Sequence, residues 1–288
     1  MKTVNLGTTG LSVPAIAMGC MRMGDIELDK AVQMIEKSMD CGVNFFDHAD
    51  IYAGGASEEK FAKALKQTDI RREEIFLQSK CAIIPGVMYD FSKEHIIKSV
   101  EGSLKRLDTE YLDSLLLHRP EGKVRYFGVS NHNPMQMELL KKYVRQPLVV
   151  NQLQFSVAHT TMISSGTEVN MLTDGAVNRD GSVLDYCRLN DITIQAWSPF
   201  QYGMFEGVFL GNEKFPELNQ KIDEIAEKYQ VSNTTIAVAW ILRHPANMQV
   251  LTGTMNSRRF EDICKASEVC LSRQEWYEIY CAAGNNLP

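Results

Sequence analysis

The strongest constraint on this chain is a rhythm: short apolar runs alternate with amphipathic helical patterns over almost the whole length. That alternation is the β-α-β signature of a parallel sheet with helices laid against it. The runs are Ala15 to Gly19, Val43 to Asp47, Ile75 to Lys80, Leu112 to His118, Val124 to Ser130, Leu148 to Leu153, Ile192 to Trp197 and Met248 to Thr252. Between them, Asp29 to Cys41 places Val32, Ile35 and Met39 on one helical face, with Asp29 as a candidate cap and Gly42 as a stop. Ser57 opens a pattern through Leu65, and Ser92 opens one carrying Ile96, Ile97, Val100, Leu104 and Leu107. Asn133-Pro134 is a cap and first-turn pair. Further helical patterns cover Ser182 to Leu189, Asn219 to Tyr229, Thr234 to Arg243 and Ser257 to Ser267, and Ser272 with Glu275 forms a capping box for a last helix. Thr3 to Leu6 and Leu11 to Val13 flank a Gly-containing turn, which reads as a hairpin, and Ala158 to Gly181 reads as a long loop.

At 288 residues the length alone fits either two small domains or one α/β barrel of about 250 residues. No linker or composition shift divides the chain, so the expectation is a single (β/α)8 TIM barrel domain over residues 1–288 with an N-terminal β-hairpin. One connection departs from it. Only Arg119 to Tyr126 separates His118 from Phe127, whereas parallel neighbours need a crossover of about a dozen residues or more. The fourth crossover helix is absent. Either residues that belong there are missing from the chain as read, which is the favoured reading, or the segment has been deleted or replaced. A true deletion is expected to prevent strands four and five from both keeping their places in a closed barrel, and to take His118 out of registry with Ser130 and Asn131.

Composition excludes several function classes. Lys plus Arg total 30 against 36 Asp plus Glu, a formal charge of −6, so no global field draws in nucleic acid or an anionic membrane. No apolar run approaches the roughly 18 residues of a membrane span and no leader pattern is present, which points to a soluble, cytoplasmic protein. Seven scattered cysteines without a C-x-x-C pair read as reduced thiols. There is no G-x-G-x-x-G after a strand and no P-loop, and no histidine spacing fits a metal site, so none is expected.

In a barrel the chemistry gathers at the C-terminal ends of the strands. Those ends carry Asp47 with Tyr52 just beyond it, Lys80, His118, Ser130 with Asn131, Gln152, and Trp197 with Ser198. Singly, each is commonly a turn, cap or packing residue. Together, Asp, Tyr, Lys and His suggest one reaction. A tyrosine hydroxyl, with an ordinary pKa of about 10, needs a neighbouring cation to stabilise its phenolate. Lys80 supplies that charge, Asp47 holds Lys80 protonated, and His118 hydrogen-bonds the substrate oxygen, so that Tyr52 protonates an oxygen as hydride reaches the adjacent carbon.

Asp47-His48-Ala49-Asp50-Ile51-Tyr52, Ile75 to Lys80, Ser114 to His118 with Arg119 and Pro120, and Gly122 to Asn131 resemble the aldo-keto reductase superfamily nearly end to end. Asp185 to Pro199 is similar to a bacterial branch of it. The resemblance implies an NADPH-dependent reductase of a small-molecule aldehyde or ketone, with Tyr52 as acid, Lys80 and Asp47 tuning it, and His118 orienting the carbonyl. It further implies that Ser130, Asn131 and Gln152 bond the nicotinamide amide, that Trp197 stacks on the ring, and that Ser198 and Phe200 lie along the pyrophosphate. Gly253, Thr254, Asn256 and Arg259 would hold the adenosine 2′-phosphate, with Arg258 beside them. Relatives often carry Lys where Gly253 stands, so selection of NADPH rests on the two arginines. Some relatives bind NADPH chiefly as regulatory subunits, which leaves a sensing barrel with little turnover as the alternative. Ile83, Ile84, Val87 and Met88 hint at an apolar substrate.

Overall fold

A computed structural model describes every residue except Phe91, 117–123, Phe205 and Pro288, with Tyr89, Val124 and Arg125 described as backbone alone. The hairpin β1 (Thr3–Asn5) and β2 (Ser12–Pro14) precedes the barrel strands β3 (Ile16–Gly19), β4 (Phe45–Asp47), β5 (Phe76–Lys80), β8 (Leu112–Leu116), β9 (Val124–Ser130), β10 (Leu148–Gln154), β11 (Thr193–Trp197) and β12 (Met248–Thr252). These eight close on one another in parallel, with β12 pairing β3 through Val250↔Ile16 and β9 pairing β10 through Gln152↔Ser130. The (β/α)8 barrel read from the sequence is therefore the fold. A short antiparallel pair, β6 (Ile83–Ile84) and β7 (Met88–Tyr89), rises from the loop after β5 and leaves Val87 and Met88 exposed.

The period-two alternation of the strands sorts side chains between two cores. Outward residues such as Phe46, Leu77, Leu115, Val129, Ile194 and Val250 join the helices in the larger apolar cluster. Inward residues build the barrel interior in layers. Leu6 and Val13 from the hairpin pack with Ala17, Phe45, Leu116, Val150 and Leu251 in a second apolar cluster, and Phe45 stacks on Phe76 at 4.5 Å. Polar side chains share the interior with them, with Gln78, Ser114, Gln195, Gln249 and Asp47 all buried.

Helices α1 (Leu28–Asp40), α2 (Ala56–Leu65), α3 (Lys93–Arg106), α4 (Pro134–Lys141), α5 (Thr161–Thr167), α6 (Val183–Leu189), α7 (Pro216–Tyr229) and α8 (Asn233–Arg243) fall between barrel strands, and α9 (Ser257–Cys264) and α10 (Arg273–Ala282) follow β12. The caps at Ser92, Asn133 and Ser272 accept the backbone N–H groups that their motifs predict. Two assignments change. Asp29 lies inside α1, where its charge favours the positive helix end, and Glu27 occupies the cap position. Ser57 also lies inside its helix; its hydroxyl accepts from Gly24 N–H at 3.0 Å and donates to Met21 O at 3.1 Å, bolting the loop after β3 onto α2. The stretch Ala158 to Gly181, read as loop, holds α5.

On either side of the short connection, β8 and β9 lie side by side with Leu112↔Val124 and Leu116↔Gly128 paired. The expectation that a missing helix would unseat one of them is overturned, and the reason is reach. Returning from Leu116 to Val124 covers about 13 Å along the strands and one spacing of about 5 Å across them. Eight residue steps span up to about 27 Å. Gly128 makes the close pairing possible, since a Cβ there would stand 2.7 Å from the Leu116 side chain and 2.9 Å from Val150. At the other end of β8, Arg72 donates to Asp113 at 2.8 Å and to Tyr111 O at 2.9 Å, while Asp113 also accepts the Leu77 N–H of β5 at 2.9 Å.

Asp113 is 7% exposed, so removing Arg72 takes a charge-assisted hydrogen bond away from a buried carboxylate. Arg72→Leu is expected to lower unfolding free energy by about 3 kcal/mol in urea titrations.

Candidate active site

Asp47 ends β4 and Lys80 ends β5, and the two strands are adjacent, so both side chains point up the barrel interior from neighbouring positions. Lys80 Nζ donates to both oxygens of Asp47, at 2.8 and 2.7 Å, and to His48 O at 2.6 Å. The pair is nearly sealed, with side chains 14% and 4% exposed. Burial works against the Lys80 charge, but Asp47 outweighs it and the ammonium pKa is raised.

After Asp47 the backbone keeps pairing with β5 through His48 N–H to Gln78 O and Asp50 N–H to Lys80 O, then turns at Tyr52–Gly55. Ala53, Gly54 and Gly55 all have positive φ, and Gly55 lies so close to Arg106 that a Cβ would stand 2.8 Å from it. This turn delivers Tyr52 over Lys80, whose ammonium is 4.9 Å from the ring centroid. Burial raises the Tyr52 pKa, Lys80 opposes it, and the net shift is upward. Tyr52 thus keeps its proton at neutral pH while a cation waits beside it. Below the turn, Glu58 of α2 is fully buried and accepts from Ser79 at 2.7 Å and Arg106 at 2.8 Å, tying the helix that follows Tyr52 to the residue before Lys80. His118 lies outside the described residues.

A second group assembles at the ends of β9, β10 and β11. Asn131 sits at φ 55°, its N–H donates to Gln152 O at 2.9 Å, and its side-chain amide donates to Ser130 Oγ at 3.3 Å. Trp197 Nε1 donates to Asn131 Oδ1 at 3.3 Å, and Ser130 Oγ donates to Gln152 O at 3.2 Å. Ser130, Asn131, Gln152 and Trp197 are therefore one hydrogen-bonded set. The side-chain amide of Gln152 turns inward, donating to Asp47 Oδ1 at 3.3 Å and Gln195 Oε1 at 3.1 Å. Ser198 follows at φ 52°, and its carbonyl accepts from Gln201 N–H, while Phe200 O accepts from Phe209 N–H. These two left-handed residues at strand ends are strained positions of the kind that gather at binding sites.

At the end of β12, Gly253 is exposed and Thr254 is half-buried. Asn256 caps α9, its Oδ1 accepting Arg259 N–H at 3.0 Å, so its side chain is spent on the helix. Arg258 and Arg259 are exposed and make no ion pair among the described residues. Among the described residues, five buried side-chain polar atoms have no hydrogen-bond partner: His48 Nδ1 and Nε2 after β4, Gln154 Nε2 at the end of β10, Gln201 Oε1 beyond β11 and Thr252 Oγ1 at the end of β12.

The interior glutamines Gln78, Gln195 and Gln249 were not singled out from the sequence, nor was Glu58. A signal existed: each glutamine interrupts an apolar strand, and Gln78 and Gln195 stand two residues before Lys80 and Trp197, on the same strand face.

The aldo/keto reductase family model matches residues 15–122 and 120–282, so the family pattern breaks at the short connection. The oxidoreductase YcsN of Bacillus subtilis is 32% identical, with 89% of each chain covered. A 6-dehydroglucose reductase of Agrobacterium fabrum is 30% identical over an alignment of 305 positions, taking in 95% of each chain. Among solved structures, the thermostable aldo-keto reductase Tm1743, in complex with the inhibitor epalrestat, superposes with a TM-score of 0.77 at 26% identity, covering 98% of this chain and all of its own. No described helix is long and apolar enough to cross a membrane. With a matching family pattern, oxidoreductase relatives and a closed eight-stranded barrel in agreement, the chain belongs to the aldo/keto reductase family, a kinship that supports carbonyl reduction.

Proposed function

We propose that this chain, acting as one barrel domain, is an NADPH-dependent reductase that converts an aldehyde or ketone to an alcohol. The observation that carries the reading is the Lys80 ammonium, gripped by both oxygens of Asp47 and lying against Tyr52. Ser130, Asn131, Gln152 and Trp197 would hold the nicotinamide. Ser198 and Phe200 would hold the pyrophosphate, and Gly253, Thr254, Asn256 and Arg259, with Arg258, the 2′-phosphate end. For Asn256 the contact would come through its backbone, since its side chain caps α9. A reduced nicotinamide bound there supplies hydride to the carbonyl carbon.

The protein's part is the proton. Tyr52 holds it at neutral pH, donates it to the developing alkoxide, and is left as a phenolate that Lys80 stabilises at once. Asp47 keeps Lys80 charged so that the stabilisation is present before reaction. His118 is assigned, from its motif, to orient the carbonyl oxygen. A guanidinium at a helix N-terminus suits a phosphate dianion, and Arg258 and Arg259 are both free to take one. The carbonyl compound is drawn from two sources: the exposed Val87 and Met88 favour an apolar aldehyde, and the Agrobacterium relative acts on 6-dehydroglucose by its name.

Purified protein is expected to oxidise NADPH with a small aromatic aldehyde or with 6-dehydroglucose, and Tyr52→Phe to abolish turnover while nucleotide fluorescence titration is unchanged. Binding of NADPH without turnover across a carbonyl panel would instead favour the sensing barrel, and no nucleotide binding would defeat both. Because the acid must be protonated and its pKa is raised, kcat for reduction is expected to stay level through neutral pH and to fall only above about pH 10. Arg259→Ala is expected to raise KM for NADPH about tenfold with little change for NADH, as loss of a charge-assisted phosphate contact predicts.

A further inference from the structure

The polar layer inside the barrel is a chain of amides with a direction. Gln249 Nε2 donates to Pro14 O at 2.6 Å, and since a carbonyl oxygen only accepts, that end sets which way the Gln249 amide faces. Gln249 Oε1 then accepts from Gln195 Nε2 at 2.8 Å. Gln195 Oε1 accepts from Gln78 Nε2 at 2.7 Å and from Gln152 Nε2 at 3.1 Å. Each of those two amino groups spends its other hydrogen on Asp47 Oδ1, at 2.8 and 3.3 Å. Gln78 Oε1 is held by Ser114 Oγ at 2.7 Å and by Gln195 Nε2 at 3.3 Å. None of these side chains is more than 4% exposed, so water offers no alternative partner.

Every amide orientation follows from its neighbour's. Turning Gln78 over would aim its carbonyl oxygen at a carboxylate, and turning Gln195 over would aim its own at Gln249 Oε1 while taking one of two acceptors from each of the Gln78 and Gln152 amino groups. We infer that Gln195, through Gln78 and Gln152, is a positioning residue for proton donation: the amide chain anchored on Pro14 fixes Asp47 in place beneath Lys80 and so sets the charge beside Tyr52. This rests on the reading of Asp47, Lys80 and Tyr52 given above. It also joins the two halves of the site, because Gln152 shares its amino group between Asp47 and Gln195 while its backbone carbonyl accepts from Ser130 Oγ and Asn131 N–H.

Gln195→Glu tests the inference through pH. A protonated glutamic acid keeps the acceptor for Gln78 and Gln152 and the donor to Gln249, giving up only the 3.3 Å contact to Gln78 Oε1; once ionised it turns an oxygen on Gln249 Oε1 and adds a second negative charge to the Asp47 layer. Among the described residues, the titratable groups facing this layer are Asp47 on β4, Lys80 on β5, the Cys20 thiol after β3 and the Tyr126 hydroxyl on β9; β8, β10, β11 and β12 contribute neutral groups. Burial raises the pKa of such an acid above its ordinary value of about 4.3. Reductive kcat of Gln195→Glu is expected to approach wild type at acidic pH and to fall about tenfold or more as pH rises, where wild type is level. Gln195→Leu is expected to lose about as much at every pH, with KM for the carbonyl little changed. Equal kcat and the same pH profile in folded Gln195→Glu and Gln195→Leu would overturn the inference. Should neither variant fold, wild-type protein decides: the side-chain amide protons of Gln78, Gln152 and Gln195 are expected to resist exchange into D2O and to shift in Asp47→Asn, and rapid exchange overturns the chain. Inactive wild type would defeat the functional reading separately, leaving the exchange result to judge the amide chain.

Discussion

Everything at the top of this barrel depends on keeping a buried ion pair, Asp47 with Lys80, fully satisfied. Taking two charges out of water is repaid only when geometry and additional hydrogen bonds answer for the loss. Here both carboxylate oxygens meet Lys80, a carbonyl takes a further ammonium contact, and two side-chain amides meet Oδ1. That demand reaches downward into the fold. It accounts for polar side chains inside an otherwise apolar barrel, and for the use of glutamines, which pass a donor and an acceptor along a chain without adding charge. The same demand reaches outward through Glu58, whose carboxylate ties α2 to β5 beside Lys80.

Closure of the barrel between β8 and β9 is the second constraint. Parallel neighbours are normally joined by a helix because the helix covers the outer face of the strands on the way back. The return itself requires only length, and the stagger of β9 against β8 keeps that length small. Gly128 admits Leu116 to the interior, and Arg72 fastens the opposite end of β8 to β5 through Asp113. The break in the family pattern at residues 120–122 coincides with this connection.

The candidate residues were legible in advance because strand ends in a barrel converge on one rim, so that Asp47, Lys80, Ser130, Asn131, Gln152 and Trp197, with Tyr52 just beyond β4, stood out by position and took their candidate roles from their combination and from the family resemblance. What could not be read was how each side chain spends its hydrogen bonds. Asn256, expected at a phosphate, caps α9, and Gln152, expected only at the nicotinamide, also faces Asp47. Capping and ligand binding use the same side-chain atoms, and only three-dimensional neighbours decide between them. Ser57 and Asp29 were misplaced by a residue or two for a related reason: a polar residue at a helix start marks the turn, and packing selects the residue that ends as the cap.

The amino-acid sequence by itself determined the class of fold, the order of its elements and the family's chemistry, since periodicity and motif spacing are local properties of the chain. Tertiary structure alone decided that β8 and β9 remain neighbours, that Tyr52 keeps its proton against the pull of Lys80, and that four glutamines far apart in the chain share one directed set of hydrogen bonds. Each of those outcomes depends on distances between residues on different strands and on the exclusion of water, and neither quantity exists until the barrel closes.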